Sequence, residues 1–599
     1  MYMKNLMLNI LFCLLFSACS SSDFVFRNQT DLSVSMSPDE AQVVQTALNI
    51  FAKDYQQVFG GEVFQDEHAQ IYIGTLGNNS LAEKMIASET VKDLHTHEEG
   101  FAIQVKDRNL YILGSDKRGT AYGILELSRM IGVSPWKWWA DSHVEQKKVF
   151  TLKNGFNCVK YPSVARRGIF VNDEDWGLMP WSYKTNEPSE IKGQIGPQTH
   201  ARIFELILRL RANTFWPAMH DCSVAFYLTP GNKEMADEYG IFIGTSHCEP
   251  MMRNTFAEWK IAGKGIYDYV GNRENVLKFW EERVETLTGS DNIYTLGIRG
   301  VHDSKMLGAN TLQEQKDVLT NVIKDQREMI AKYINSNVEE VSQVFIPYKE
   351  VLDVYNMGLE IPEDVCLLWC DDNYGYIRHF PTAKECDRKG GNGVYYHVSY
   401  WGRPHDYLWL ATNHPAQLYT QMKLAYDKGA KDMWILNVGD IKPAEYLTEL
   451  FLDMAWDINA IENNMKGLDK HLYAWLSREF GEQNAKELLP VMNEYYRLAY
   501  IRKPEYMGYT RTEEKDPIYK VVSDLPWSEA YINRRIQDYK AISKKVQELS
   551  QKISPEKQST WFQLIEYPVR SAAEMNYKHL YGQLARHGKV DWSLSDSAF

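Results

Sequence analysis

Apolar residues recur along the chain at two spacings, and the way these alternate divides it. From about Glu40 to Phe150, one helical pattern, Ala41 to Phe59, precedes three short β-branched and aromatic runs: Gln70 to Gly74, Phe101 to Val105 and Asn109 to Gly114. A second helix is expected from about Thr120 to Ile131, stopped by Gly132. This is the pattern of an α/β domain, assigned to residues 25–155. Ser134-Pro135-Trp136-Lys137-Trp138-Trp139 then interrupts regular structure. Its indoles read either as a sugar platform or as an aromatic plug between two domains.

From Ala165 the order becomes strand, loop, helix, repeated. Eight apolar runs have strand length: Arg167 to Asn172, Asn213 to Met219, Ile241 to Ser246, Ile293 to Gly300, Gln343 to Tyr348, Val365 to Cys370, Val394 to Ser399 and Met433 to Val438. Helical segments fall between many of them, clearest at Thr199 to Leu210, Glu274 to Leu287, Leu312 to Ile334 and Ala416 to Lys428. Over residues 165–443 this predicts a (β/α)8 TIM-type barrel. An open doubly wound sheet is the alternative, but no Gly-rich nucleotide turn follows the first strand. Beyond Pro443 the strand runs stop. Ala444 to Asp457, Leu468 to Phe480, Asn484 to Leu498, Tyr531 to Lys552 and Thr560 to Tyr567 predict an α-helical domain over 444–599.

The chain has 599 residues, 44% of them hydrophobic, enough for several cores and unlike a disordered chain or a small disulfide scaffold. Acidic residues outnumber basic ones, 79 to 66, which removes any general attraction to nucleic acid. The 17 Trp, 36 Tyr and 23 Phe suit a protein that stacks on ring-shaped ligands. Residues 1–19 read as a lipoprotein signal: Lys4, an apolar run from Leu6 to Phe16 too short to span a bilayer, then Phe16-Ser17-Ala18-Cys19. Cys19 is the expected lipid anchor of an exported, periplasmic or outer-membrane-associated protein; an ordinary cleaved signal is the alternative. Of the other cysteines, Cys366 and Cys370 share one face of an expected buried strand, which favours packing over zinc ligation.

Chemistry in a barrel of this kind sits at the C-terminal ends of the strands. Those ends here read Asn172-Asp173-Glu174-Asp175-Trp176, Trp216-Pro217-Ala218-Met219-His220, Thr245-Ser246-His247-Cys248-Glu249 and Arg299-Gly300-Val301-His302-Asp303 for the first four strands. The last four give Tyr348-Lys349-Glu350, Asp371-Asp372-Asn373-Tyr374, Tyr400-Trp401-Gly402-Arg403 and Asn437-Val438-Gly439-Asp440. Loop caps and surface ion pairs explain two or three such ends, not eight on one rim. Carboxylates mixed with aromatic and amide side chains are what glycoside hydrolysis requires: one carboxyl to protonate the leaving oxygen, another to activate water or attack the anomeric carbon. A metal centre built on His220, His247, His302 and His397 is the competing reading.

The stretches Arg167 to Gly177, Arg211 to His220, Gly244 to Met251, Trp369 to Tyr376 and Tyr395 to His405 resemble glycoside hydrolase family 115, and the resemblance runs from about Gly114 to Tyr581. It implies a xylan α-1,2-glucuronidase that acts by inversion, without cofactor or metal, on glucuronoxylan or xylo-oligosaccharides. With strand-end position it points to Asp303, Glu350 and Asp371 as catalytic carboxylates, supported by Asp173; Asp303 is favoured as acid and Glu350 as base, with the roles open. An ion pair to Lys349 is the alternative for Glu350. Arg299 is the expected cation for the uronate carboxylate, with Arg403 its rival. Trp216 is expected to stack on the sugar, and Asn172, His247, Asn373, Tyr400 and Asn437 to bind it. A metal-dependent barrel hydrolase and an inert lipid-anchored glycan-binding protein are the alternatives. Family members usually continue into a β-sandwich that helps build a homodimer, whereas Lys589 to Phe599 departs from their pattern. The expectation is therefore marginal stability and reduced activity, without a well-defined dimer.

Overall fold

The computed structural model describes residues 22–402, 405–462, 464–507 and 524–599, and the chain divides into two compact units. The first comprises the residues up to Ile131 together with Glu145–Tyr161. Its sheet has six strands in the order Val63–Gln65, Leu32–Ser35, Ile71–Thr75, Asn109–Gly114, Phe101–Lys106 and Asn157–Lys160. The first four are parallel and the last two antiparallel to their neighbours. Helices Gln42–Phe59 and Lys117–Met130 pack together. The Asp116 carboxylate caps the second by accepting from the amides of Arg118 and Gly119, both 2.9 Å away. Five strands that the periodicity does not reveal, among them Phe24–Arg27 and Val149–Leu152, are only three or four residues long. Such runs are too short to show alternation.

The second unit holds Gly132–Val144 and Pro162–Phe599. Its centre is a curled sheet of eight parallel strands: β1 (Arg166–Phe170), β2 (Thr214–Trp216), β3 (Phe242–Ile243), β4 (Tyr294–Leu296), β5 (Gln343–Phe345), β6 (Cys366–Cys370), β7 (Asn392–His397) and β8 (Met433–Asn437). The order is β3-β2-β1-β8-β7-β6-β5-β4, and a parallel bridge between Ile243 and Asn292 ties β3 to the chain entering β4. Each strand begins within two residues of its apolar run. Most end earlier, because their polar last residues turn out of the ladder into loops. Phe170, Trp216, Phe242, Val344, Leu368, Tyr395 and Ile435 share one buried cluster, with Cys366 inside it and Cys370 packed against it. All six described cysteines are free.

Helices on the outer side are set by local signals. Helix α1 (Pro197–Arg209) starts on a proline, where the missing amide hydrogen would have no intrahelical partner. Helix α2 (Arg273–Val284) precedes β4. Helix α3 (Leu312–Tyr333) opens with a reciprocal capping box between Thr311 and Glu314. Helix α4 (Glu350–Asn356) is short, and α5 (Pro415–Asp427) again starts on proline. Helices Glu445–Trp456, Met465–Phe480, Glu482–Ile501, Glu529–Ser550 and Tyr567–Arg586 follow β8. The last of these was not expected, since Pro568 ends the periodic pattern in the sequence. In the structure Pro568 occupies the first turn, reached through a π-helical turn at Phe562–Glu566.

Trp136 and Trp139 are buried in the second unit, where their indole N–H groups donate to the Glu449 carboxylate (2.7 Å) and the Arg202 carbonyl (3.1 Å). Neither of these two offers a free face to a sugar.

Candidate active site

Because the eight strands are parallel, their C-terminal ends and the loops after them share one side of the sheet. Two cavities open there. The first, of about 490 Å³, is lined among others by Asn172, Asp175, His220, His247, Asp303 and Trp401. The second, of about 500 Å³, is lined by Lys349, Asp371, Asn373, Tyr374, Arg378 and His379 among others. Tyr348 and Tyr400 line both. Their hydroxyls are 3.1 Å apart, so the two cavities adjoin at this pair.

Arg299, at the end of β4, organises the carboxylates. Its Nε and Nη2 donate to Glu350 at 2.9, 2.8 and 3.0 Å, and its Nη1 donates to Asp303. The Arg299 side chain is 3% exposed. It is thus engaged with the protein's own acids and lines neither cavity, which corrects the expectation of an open clamp for a uronate. Asp303 also accepts from Lys349 Nζ (2.6 Å) and His247 Nε2 (3.1 Å). Lys349 therefore pairs with Asp303, and not with Glu350 as its sequence neighbourhood implied. Burial would raise the Asp303 pKa, but the His247 hydrogen bond and the charges of Arg299 and Lys349 outweigh it and hold the carboxyl well below its ordinary range. A carboxylate held in this way is better suited to accept a proton than to donate one in the free protein.

Asp371, at the end of β6, is the opposite case. Its Oδ1 meets His397 Nδ1 at 2.5 Å, while Oδ2 is buried without a partner. Burial raises its pKa against the influence of His397. Asp173 is 3% exposed and lines neither cavity. Burial pushes it up to about 8, with Asp175, Asp440 and Glu174 adding to the rise against His220. Its amide donates to the Gly439 carbonyl at 2.9 Å. Gly439 has φ 67°, and a Cβ there would come within 2.3 Å of Ser399 Oγ and 3.3 Å of Asp173 Cβ. The β8 loop must therefore be bare at this point for Asp173 to be seated.

Several expected sugar ligands are engaged elsewhere. Trp216 is fully buried between Phe170 and Tyr395, with centroids 5.6 and 5.5 Å away, and has no face for a sugar. It is a core residue, which overturns the stacking expectation. Asn437 donates to the Tyr395 hydroxyl (2.7 Å) and accepts from the Gly439 amide (3.0 Å), so it positions rather than contacts. Asn373 donates to the His405 carbonyl (2.8 Å), leaving Oδ1 unpartnered at the second cavity. His247 stacks on Tyr348 (3.9 Å), and Asn172 and Tyr400 line cavities directly. Arg403 and Cys19 lie outside the described residues.

Among the described residues, Asp173, Asp175 and His220 present ligand-type atoms within 4.8 Å of one another. His220 Nδ1 already meets Asp175 Oδ2 at 2.5 Å. Burial lowers the His220 pKa, but the Asp175 hydrogen bond and the charges of Glu174, Asp175 and Asp173 reverse this and raise it to about 9. The pair joins a buried imidazole to a half-buried carboxylate. Sequence reasoning missed its role and that of Tyr348, although both lie in the strand-end strings. Backbone strain also gathers at these loops: Met251, Met252, His302 and Lys349 have φ of 56, 62, 57 and 49°.

The sequence profile of Glycosyl hydrolase family 115 matches residues 159–506. A solved structure described as a novel family GH115 4-O-methyl-α-glucuronidase with specificity for decorated arabinogalactans is 56% identical, covers 96% of this chain and 76% of its own, and superposes with a TM-score of 0.94. A GH138 enzyme targeting pectin rhamnogalacturonan II shares the fold only, at 13% identity and a TM-score of 0.55 over 95% of this chain and 90% of its own. No curated protein matches the chain. With the profile spanning more than half of the sequence and a close structural relative along nearly all of it, the chain belongs to glycoside hydrolase family 115.

Proposed function

We propose that the protein is an inverting α-glucuronidase that removes α-linked 4-O-methylglucuronosyl or glucuronosyl side groups from a plant glycan. The observation that carries this reading is the carboxylate arrangement: Asp303 and Glu350 held by one guanidinium, with Asp371 beyond the Tyr348–Tyr400 pair. The curled sheet is read as a (β/α)8 barrel, with an α/β domain over 25–155 and a helical domain over 444–599. In the reaction, ionised Asp303 takes a proton from a water whose oxygen attacks the anomeric carbon. Asp371 gives its proton to the departing glycosidic oxygen, and exchange with solvent resets both acids. Glu350 keeps Arg299, and through it Asp303, in place. Lys349, whose side chain is 39% exposed, is the cation placed to meet the uronate carboxylate.

The carrier glycan is taken to be a decorated arabinogalactan, because the 56% identical relative is described as specific for one. Glucuronoxylan is the second candidate, from the resemblance to xylan α-glucuronidases. The protein is further proposed to be an exported lipoprotein anchored at Cys19. Incubation with both glycans tests the function. Release of free 4-O-methylglucuronic acid, unaffected by chelator, supports it. Loss of release with chelator favours a metal-dependent hydrolase, and binding without release an inert glycan-binding protein.

A further inference from the structure

Two tryptophans at the rim of the first cavity have no part in the carboxylate network. Trp176 follows β1 and is 62% exposed; Trp401 follows β7 and is 42% exposed. Their ring centroids are 5.3 Å apart with planes tilted by 32°. Trp401 lines the cavity, meeting His220 edge-on at 5.2 Å. Both loops are tied down close to the rings. Asp175 is bonded to His220, and the Leu178 amide to Asp440 at 2.8 Å. On the other side Tyr400 exchanges backbone hydrogen bonds of 2.9 and 3.0 Å with Tyr407, and the Gly402 amide donates to Asp406 at 2.8 Å.

Fixed, adjacent indoles left open to water are uncommon on a soluble surface, and the C–H faces of neutral sugar rings match them. A cavity of about 490 Å³ with Asp303 in its wall accommodates one sugar near the reacting bond. The remainder of a polymeric substrate must leave past the rim. We propose that Trp176 and Trp401 form a platform for the carrier glycan, binding its neutral sugar units. The tilt between the two rings spreads the contact over more than one unit, which makes an oligosaccharide a better substrate than a simple glycoside. This rests on the proposed glucuronidase reading and adds where its carrier lies.

The test compares Trp176→Ala, Trp176→Phe and wild type on two substrates, an aryl 4-O-methyl-α-glucuronide and a 4-O-methylglucuronosylated oligosaccharide of arabinogalactan. Trp176→Ala is expected to lower the ratio of kcat/KM, oligosaccharide over aryl glycoside, by about tenfold through KM, and Trp176→Phe to recover most of it. Equal losses on both substrates, or none on either, would overturn the platform. Calorimetry of the oligosaccharide against wild type and Trp176→Ala keeps the two readings apart. If wild type hydrolyses neither substrate, the glucuronidase reading fails. A fivefold or greater weakening of binding in the variant still supports the platform, and unchanged binding refutes it.

Discussion

Individual residues carry the proposed division of labour between acids. Asp303 is held ionised by His247, Arg299 and Lys349, while burial raises the pKa of Asp371 against the influence of His397. Asp303→Ala should lower kcat by roughly 10²–10⁴-fold, and added azide should restore turnover by replacing the activated water. Asp371→Ala should lose most activity on natural glycans yet keep more of it on aryl glycosides whose leaving group needs no proton. The reverse pattern in the two variants would exchange the roles. Lys349→Met should raise KM for the uronide by about tenfold, the worth of one charge-assisted hydrogen bond, and an unchanged KM would move the uronate carboxylate elsewhere. Steady-state kinetics with a uronic acid assay reads both results. At this scale the sequence was informative about which side chains gather, since each follows an apolar run. It was silent on pairing. Arg299 meets Glu350 across 51 positions, and nothing in its neighbourhood tells an open cation from an engaged one. Trp216 was misread for a related reason: the strand ends one residue after Phe215, and only the fold shows that its last ring points into the core.

Elements explain how such a polar rim is supported. Helix α1 buries His200 among Phe204, Phe215 and Phe226, with Nδ1 3.0 Å from the Gly196 carbonyl. Burial holds His200 down to about 4, and it does the same for His247, where the Asp303 hydrogen bond only partly opposes it. A histidine whose folded pKa is depressed gives stability that is complete above its ordinary value near 6.5. Below that the unfolded chain binds more protons, and stability is lost as pH falls towards about 4, by up to about 3 kcal/mol per residue. His200→Gln, which keeps a donor without a titration, should flatten the fall of melting temperature between pH 6.5 and 4.5. A parallel, undiminished fall in the variant would show that other groups drive it. Elements were legible where the apolar run was long enough, as at β6 or α3. They were not at the short strands of the first unit, such as Val63–Gln65, which no longer apolar run surrounds, or where Pro568 looks like a stop and is instead in the first turn of Tyr567–Arg586.

The molecule as a whole joins an electronegative chain of net charge −13 to a site for an anionic sugar. This combination requires a local cation, and Lys349 is placed to supply it at the rim. The proposed lipid anchor predicts that Cys19→Ala moves the protein from the membrane to the soluble fraction, read by fractionation and immunoblot; an unchanged distribution would refute the anchor. Soluble variant protein then allows the central claim, inverting release of an α-linked uronosyl group, to be tested directly. Proton NMR of 4-O-methylglucuronosylated oligosaccharide mixed with enzyme follows the anomeric signals from the first minutes. The account predicts that β-4-O-methylglucuronic acid appears first and then mutarotates to the equilibrium mixture. Initial release of the α-anomer, or no release of uronic acid at all, would contradict it.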